Sequence, residues 1–346
     1  MKAVFDPAQK AHHPKRFLVS GAWKPSPETP ERAEVLLRAL EELGLAVEAP
    51  PDSGPEAIAA VHDERYLTFL QGIYPRWTRI EGAPDEVVPN VHPVSRPGEA
   101  VAGYPASAVG QTGYHLMDGA APINAETWTS VYAGAQSATR AADLVLGGEA
   151  LAYALCRPPG HHAGADMAGG FCFLNNAAIA AERLRTQHPR VAVLDVDVHH
   201  GNGTQQIFYG RGDVLTVSLH ADPIRFYPFF WGYAAETGEG DGEGRNLNLP
   251  LARGTADEAY LESLDGALAR IADFAPGALV VALGLDAHES DPFQGLAITT
   301  AGFARITERI AGLKLPSVIV QEGGYVSEAL GANLKSALRG FLGTAG

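Results

Sequence analysis

Five short runs along the chain are dominated by Val, Ile, Leu and Ala: 151–156 (LAYALC), 191–198 (VAVLDVDV), 214–219 (VLTVSL), 278–285 (ALVVALGL) and 317–321 (SVIVQ). Runs of this length and composition predict strands, and their lack of polar alternation predicts a sheet covered on both faces. Between them, 174–186, 257–273 and 300–312 place Ala, Leu, Glu and Arg at helical spacing. Strand followed by helix, repeated, predicts a parallel α/β sheet. The polar segments fall where the strands end: RPPGHHAG after the first, DVDVHHGNG at the end of the second, HADP after the third, DAHESDP after the fourth and EGGY after the fifth. Open α/β sheets bind ligands beyond the carboxyl ends of their strands, so five segments are expected to converge on one site.

Periodicity fails from about 71 to 127, where Pro and Gly interrupt the chain. A stretch of this length without regular structure is uncommon in a compact domain, and it reads either as a rim or dimerisation loop or as a mobile surface loop. The 346 residues are expected to form one domain, 1–346, of α/β class. Composition then narrows the partners. Acidic residues outnumber basic ones 40 to 26, and the net charge of −14 argues against nucleic acid or an anionic membrane surface. MKAVFDPAQKAHHPKRF holds no apolar leader and no run of eighteen apolar residues occurs, so a cytoplasmic protein is expected. Cys156 and Cys172, each among apolar neighbours, read as buried inert thiols, which moves the chemistry to histidines and carboxylates.

Asp197 and His199, two apart at a strand end, are expected to face the same side, and Asp286, ending VALGLD, supplies a third ligand from another strand. Three N/O ligands with an open position compose a catalytic zinc site, although the set also suits Fe(II), Co(II) or Mn(II). His161 and His162 offer two imidazoles to one substrate, one to accept a proton and one to stabilise charge. Asp195 and Asn202 are the expected orienting partners; a carboxylate keeps its histidine charged and an amide leaves the other nearer neutrality. Tyr325, after two glycines, reads either as a core tyrosine or as a phenol aimed at a carbonyl oxygen.

In order, RPPGHHA, GGFCFLNN, LDVDVHHGNGT, VSLH, LGLDAHESDP and EGGY resemble the zinc-dependent histone deacetylase superfamily, and within it the bacterial acetylpolyamine amidohydrolases. The likeness runs from PERAEVL and VHDERYLTFL to EGGY, nearly the whole chain. It implies an arginase–deacetylase fold, a parallel eight-stranded sheet between helices, with zinc on Asp197, His199 and Asp286. It further implies His162 as general base and acid, His161 paired with Asp195 as its electrostatic partner, Asn202 beside His162, and Tyr325 as carbonyl polariser. Phe171 and Tyr227 match the walls of an acyl-amide tunnel, with Gly169 and Gly170 allowing close approach and Phe293 at its mouth. Ser218 and Leu219, with Asp195, Asp197 and His199, match a structural potassium site, and Arg32 matches an arginine near which acetate leaves.

At the rim the chain departs from the resemblance. Phe17 and Ala120 stand where acetylpolyamine enzymes carry glutamates, with Asp118 and Glu126 nearby in sequence, and Tyr227 adds a hydroxyl where the family usually has Phe. The expected activity is removal of an acyl group from a small acylated amine, an acetylpolyamine or a more apolar N-acyl amide, by a homodimer. A protein acetyl-lysine deacetylase is the first alternative. A binuclear manganese ureohydrolase is the second, prompted by His288 but opposed by Gly201, which occupies the position of a further carboxylate. His200 has no assigned role beyond packing or a hydrogen bond.

Overall fold

The computed structural model describes residues 1–93 and 102–343. Its strands are β1 (Lys2–Val4), β2 (Arg16–Val19), β3 (Ala22–Pro25), β4 (Val47–Glu48), β5 (Leu151–Ala154), β6 (Val191–Asp195), β7 (Val214–Ala221), β8 (Asn246–Leu251), β9 (Ala278–Leu283) and β10 (Ser317–Gln321). The helices are α1 (Pro30–Glu42), α2 (Glu56–Ala59), α3 (Glu64–Trp77), α4 (Ala108–His115), α5 (Thr127–Leu146), α6 (Asn176–Arg185), α7 (Asn202–Phe208), α8 (Asp257–Phe274), α9 (Thr300–Ala311) and α10 (Leu330–Leu342). Eight strands form one sheet in the order β4-β1-β5-β10-β9-β6-β7-β8, every neighbouring pair parallel. The short antiparallel hairpin β2–β3 stands apart from it. This is the parallel eight-stranded α/β architecture that the resemblance implies.

The missing polar alternation has a physical explanation in the two faces. Ala152, Ala154, Val191, Val193, Val280 and Val318 point into a core with the alanine-rich helices α5 and α6. Tyr153, Leu194, Leu215, Leu279, Val281 and Ile319 point into a second core with α1, α8, α9 and α10. Small side chains on one face and larger ones on the other keep a period of two in size when polarity no longer shows it.

Strand ends differ from the sequence reading, and the difference bears on function. β6 stops at Asp195 rather than 198, because Asp195 Oδ1 accepts the Asp197 amide at 3.0 Å and Asp197 Oδ1 accepts the His199 amide at 2.9 Å. Side-chain acceptors replace the ladder and turn the chain out of the sheet. Asp197 and His199 therefore come together through these turns, not through strand alternation. α6 begins at Asn176 because the Asn175 side chain caps it by accepting the Ala178 amide at 2.9 Å.

The segment 71–127, read as irregular, is partly helical. α3 runs on to Trp77 with Pro75 in its last turn, and α4 begins where Ser107 accepts the Gly110 amide. Residues 94–101 of that segment lie outside the described residues. Among the described residues no helix is long and apolar enough to cross a membrane.

Candidate active site

Beyond the carboxyl ends of β5, β6, β9 and β10 the polar segments converge. Register does the first part of this: Asp195 lies opposite Ala282 of β9 and Ser218 of β7, and Gln321 lies opposite Leu283. Asp197, His199 and Asp286 then place one potential ligand atom each within 4.8 Å of one another, all buried. His199 Nδ1 stands 3.1 Å from Asp197 Oδ1 and 3.3 Å from Asp286 Oδ2. Asp286 Oδ2 is buried without a hydrogen-bond donor. Two fully buried carboxylates facing each other, one with an unsatisfied oxygen, are strongly unfavourable alone and become favourable around a divalent cation. The donor set, one imidazole nitrogen and two carboxylates, suits zinc.

Gly323 completes this enclosure. Its amide donates to Asp197 Oδ2 at 2.8 Å, and a Cβ there would collide with the carboxylates of Asp286 and Asp197. The EGGY glycines serve this close approach as much as the turn that carries Tyr325.

His161 and His162 sit side by side, ring centroids 4.0 Å apart, with different partners. His161 Nδ1 is 2.8 Å from Asp195 Oδ2 and its Nε2 is 3.8 Å from Asp197 Oδ1. Burial would lower the His161 pKa, but Asp195 and Asp197 outweigh it and hold the ring well above the ordinary imidazole value. His162 Nδ1 is 2.7 Å from Asn202 Oδ1. Burial, reinforced by the neighbouring His161 and His199, pushes His162 well below that value. The adjacent rings are thus pushed in opposite directions, His161 toward the charged form and His162 toward the neutral one. The backbone that carries them is fixed by Glu322, whose Oε2 accepts the amides of Gly160 at 2.6 Å and His161 at 3.0 Å.

Above this floor lies a cavity of about 550 Å³ lined by Phe17, Gly170, Phe171, Tyr227, Phe293 and Tyr325, among others, with His162 and His199 at its base. The rings pack edge to face: Tyr325 on Phe171 at 5.7 Å, Tyr325 on Phe293 at 5.0 Å and Tyr227 on His162 at 4.9 Å. Gly170 is in the left-handed region, and a Cβ on it would stand 2.5 Å from His162 Cδ2 and 2.9 Å from the Tyr227 hydroxyl. Burial pushes the Tyr325 phenol well above its ordinary pKa, against the pull of Arg32, so it remains a proton donor.

Arg32 is buried beneath Tyr325, 4.9 Å from the ring centroid. Its three nitrogens donate to the Gly324 carbonyl at 2.6 Å, Glu28 Oε1 at 2.8 Å and the Glu322 carbonyl at 2.7 Å, bracing the turn that carries Tyr325. His288 lies outside the metal-ligand group, with Nδ1 2.8 Å from Ser290 Oγ and Nε2 3.3 Å from Thr300 Oγ1. His200 Nε2 faces Gln205 Oε1 and Asn248 Oδ1, both at 3.1 Å, behind the site. Glu126 is exposed at the N-cap of α5 and does not line the cavity, whereas Asp118 does. Both cysteines are buried and unpaired, and burial raises their thiol pKa values.

Three groups escaped the sequence reading. Asp291, 2% exposed, accepts the amides of Phe293 at 2.9 Å and Tyr325 at 3.3 Å and so ties two tunnel walls together. Glu322 was visible in EGGY but its role depends on the distant Gly160 and His161. Glu28 binds both Arg32 and Arg157 in a buried triad. Only the adjacency of buried partners reveals such residues.

Three potential metal ligands at strand ends, two adjacent histidines with unlike partners and a buried phenol thus meet at one cavity. The histone deacetylase domain matches residues 26–341, and the chain belongs to that family. The acetylpolyamine amidohydrolase of Burkholderia pseudomallei is 48% identical over 342 residues, covering 99% of this chain and 98% of that one. Acetylpolyamine amidohydrolase 1 of Pseudomonas aeruginosa is 45% identical, covering both chains in full. The crystal structure of the acetylpolyamine aminohydrolase from B. pseudomallei superimposes with a TM-score of 0.95 at 47% identity, covering 99% of each chain. The protein is a deacetylase-type amidohydrolase.

Proposed function

We propose that the protein is a zinc-dependent amidohydrolase that removes an acyl group, acetyl first, from a small acylated amine. The buried Asp197–His199–Asp286 cradle with its orphaned Asp286 Oδ2 carries the reading. Asp197, His199 and Asp286 would hold the ion, with Fe(II) or Co(II) as substitutes. When bound, such a cation acts as a Lewis acid toward the amide carbonyl and the attacking water.

The remaining chemistry belongs to the chain. Asn202 Oδ1 only accepts, so His162 carries its proton on Nδ1 and keeps Nε2 free as a base. His162 Nε2 takes the proton of the attacking water and returns it to the departing amine. His161, charged by Asp195, stabilises the negative charge that develops at the carbonyl oxygen, to which Tyr325 donates its phenolic proton in a hydrogen bond. The aromatic walls hold an extended acyl-amide and exclude bulk water. Arg32 fixes the Tyr325 turn and lies where a released carboxylate would pass.

The names of the relatives favour an acetylated polyamine, and the loss of rim glutamates at Phe17 and Ala120 favours a more apolar amide. Ser218 lies opposite Asp195 in the β6–β7 register, which supports a structural potassium ion held with Leu219, Asp197 and His199. We also assign the 346 residues to one catalytic unit that works in the cytoplasm as a homodimer, with the 71–127 segment in the interface. Turnover of acetylated diamines, neutral N-acyl amides and an acetyl-lysine peptide, measured before and after chelation and zinc replacement, tests the reading. Small amides should be preferred, and activity should fall by about 10³-fold on metal removal and return with zinc. Equal or better turnover of the peptide would overturn the small-amine assignment.

A further inference from the structure

We propose that Tyr227 sets the charge preference of the tunnel by occupying Asp118; the proposal rests on the amidohydrolase reading above. Asp118 is the one carboxylate among the described residues lining the cavity of about 550 Å³. Its Oδ2 accepts the Tyr227 hydroxyl at 2.6 Å and the Gly170 amide at 3.2 Å, and its Oδ1 accepts the Ala120 amide at 2.8 Å. All of these donors are neutral. No cation is among them, and the carboxyl stands in a wall where a substrate chain must pass.

An ammonium on the substrate would bind such a carboxylate by a charge-assisted hydrogen bond, stronger than a neutral one. The Tyr227 hydroxyl already takes the oxygen by the shortest of the three contacts. It is also hard to displace. The ring stands edge-on to His162 at 4.9 Å and 87° and packs against Phe229 at 6.2 Å. On its other side the backbone of Gly170 is so close that a Cβ would be 2.9 Å from the hydroxyl. Tyr227 and an ammonium near the amide therefore compete for one oxygen, and the fixed phenol disfavours the ammonium. Asp118 thus ties the loop after α4 to the turn before Phe171 through Gly170 and to the loop after β7 through Tyr227, so Tyr227 also helps fix tunnel width.

Kinetics on an isosteric pair test this: monoacetylated 1,4-diaminobutane, which ends in an ammonium, and N-pentylacetamide, which ends in a methyl. Tyr227→Phe keeps the ring and removes the hydroxyl. It should raise the ratio of kcat/KM for the cationic over the neutral amide by about tenfold, mainly through KM, the size of one hydrogen bond to a charged group. Adding Asp118→Asn should return the ratio to the wild-type value. A ratio unchanged within about twofold in Tyr227→Phe, or a gain that survives Asp118→Asn, overturns the proposal. Wild-type turnover of either compound supports the amidohydrolase reading independently. Turnover of neither overturns that reading, and the proposal with it.

Discussion

At the floor of the site Asp195, Asp197, His199, Asp286, His161 and His162 are each less than 8% exposed, and each is hydrogen-bonded to a charged side chain, a backbone amide or, for His162, the side-chain amide of Asn202. At the mouth, Leu18, Phe229, Phe230 and Trp231 are 38 to 74% exposed and sit on a hairpin and a loop outside the sheet. The floor hangs from strand ends in a register shared by the whole sheet, so moving one group uncouples several. The mouth rests on solvated aromatic surface, where a change costs local contact area. Chemistry is thus tied to the fold, and substrate choice is free to vary.

Three experiments probe that division. The largest effect should come from Tyr325→Phe, which removes a single buried donor beside the floor. Turnover should fall about 10²- to 10³-fold with KM little changed and metal content intact; a loss below about tenfold would place the phenol outside the reaction. At the mouth, Phe230→Ala with Trp231→Ala should raise KM by roughly threefold, through lost apolar contact, and lower kcat by less. A drop in kcat as large as that of Tyr325→Phe would erase the contrast between floor and mouth.

The third effect is on stability, and it reads the support beneath the histidine loop. His62 Nε2 accepts the Asn175 amide at 2.9 Å, and Asn175 Nδ2 donates to the Ala163 carbonyl at 3.0 Å, one residue past His162. Burial pushes the His62 pKa down to about 4 from 6.5. The unfolded chain therefore binds more protons between those values, so stability falls as pH drops through 6.5 and this loss ends near 4. The slope from this one group is about 1.4 kcal/mol per pH unit. Urea midpoints from pH 7 to 5 should decline, and His62→Gln should flatten the decline; an identical slope in that variant would remove His62 from the account.

Much of the floor was legible because it is local. DVDVHHGNG carries two of the three candidate metal ligands and both histidine partners within nine residues, Asp195 to Gly203. Their turns are made by their own side chains. The strands were legible because a sheet buried on both faces needs apolar runs. Their ends were less so, since Asp195 halts the ladder through a side-chain bond that periodicity does not encode. The segment 71–127 hid α4 because eight residues, Ala108–His115, rich in Gly and polar side chains, leave a faint helical pattern.

Sequence by itself determined the fold class, the family and the residue types that meet at the strand ends, because hydrophobic patterning and contiguous motifs are properties of neighbouring positions. Only the tertiary structure decided which carboxylate is orphaned, that Asp291 joins Phe293 to Tyr325, that Arg32 braces the turn beneath the phenol, and that Tyr227 reaches across 109 residues to Asp118. Those are relations between segments brought together by packing. Burial, which gives a charge or a hydroxyl its strength, exists only once the chain has folded.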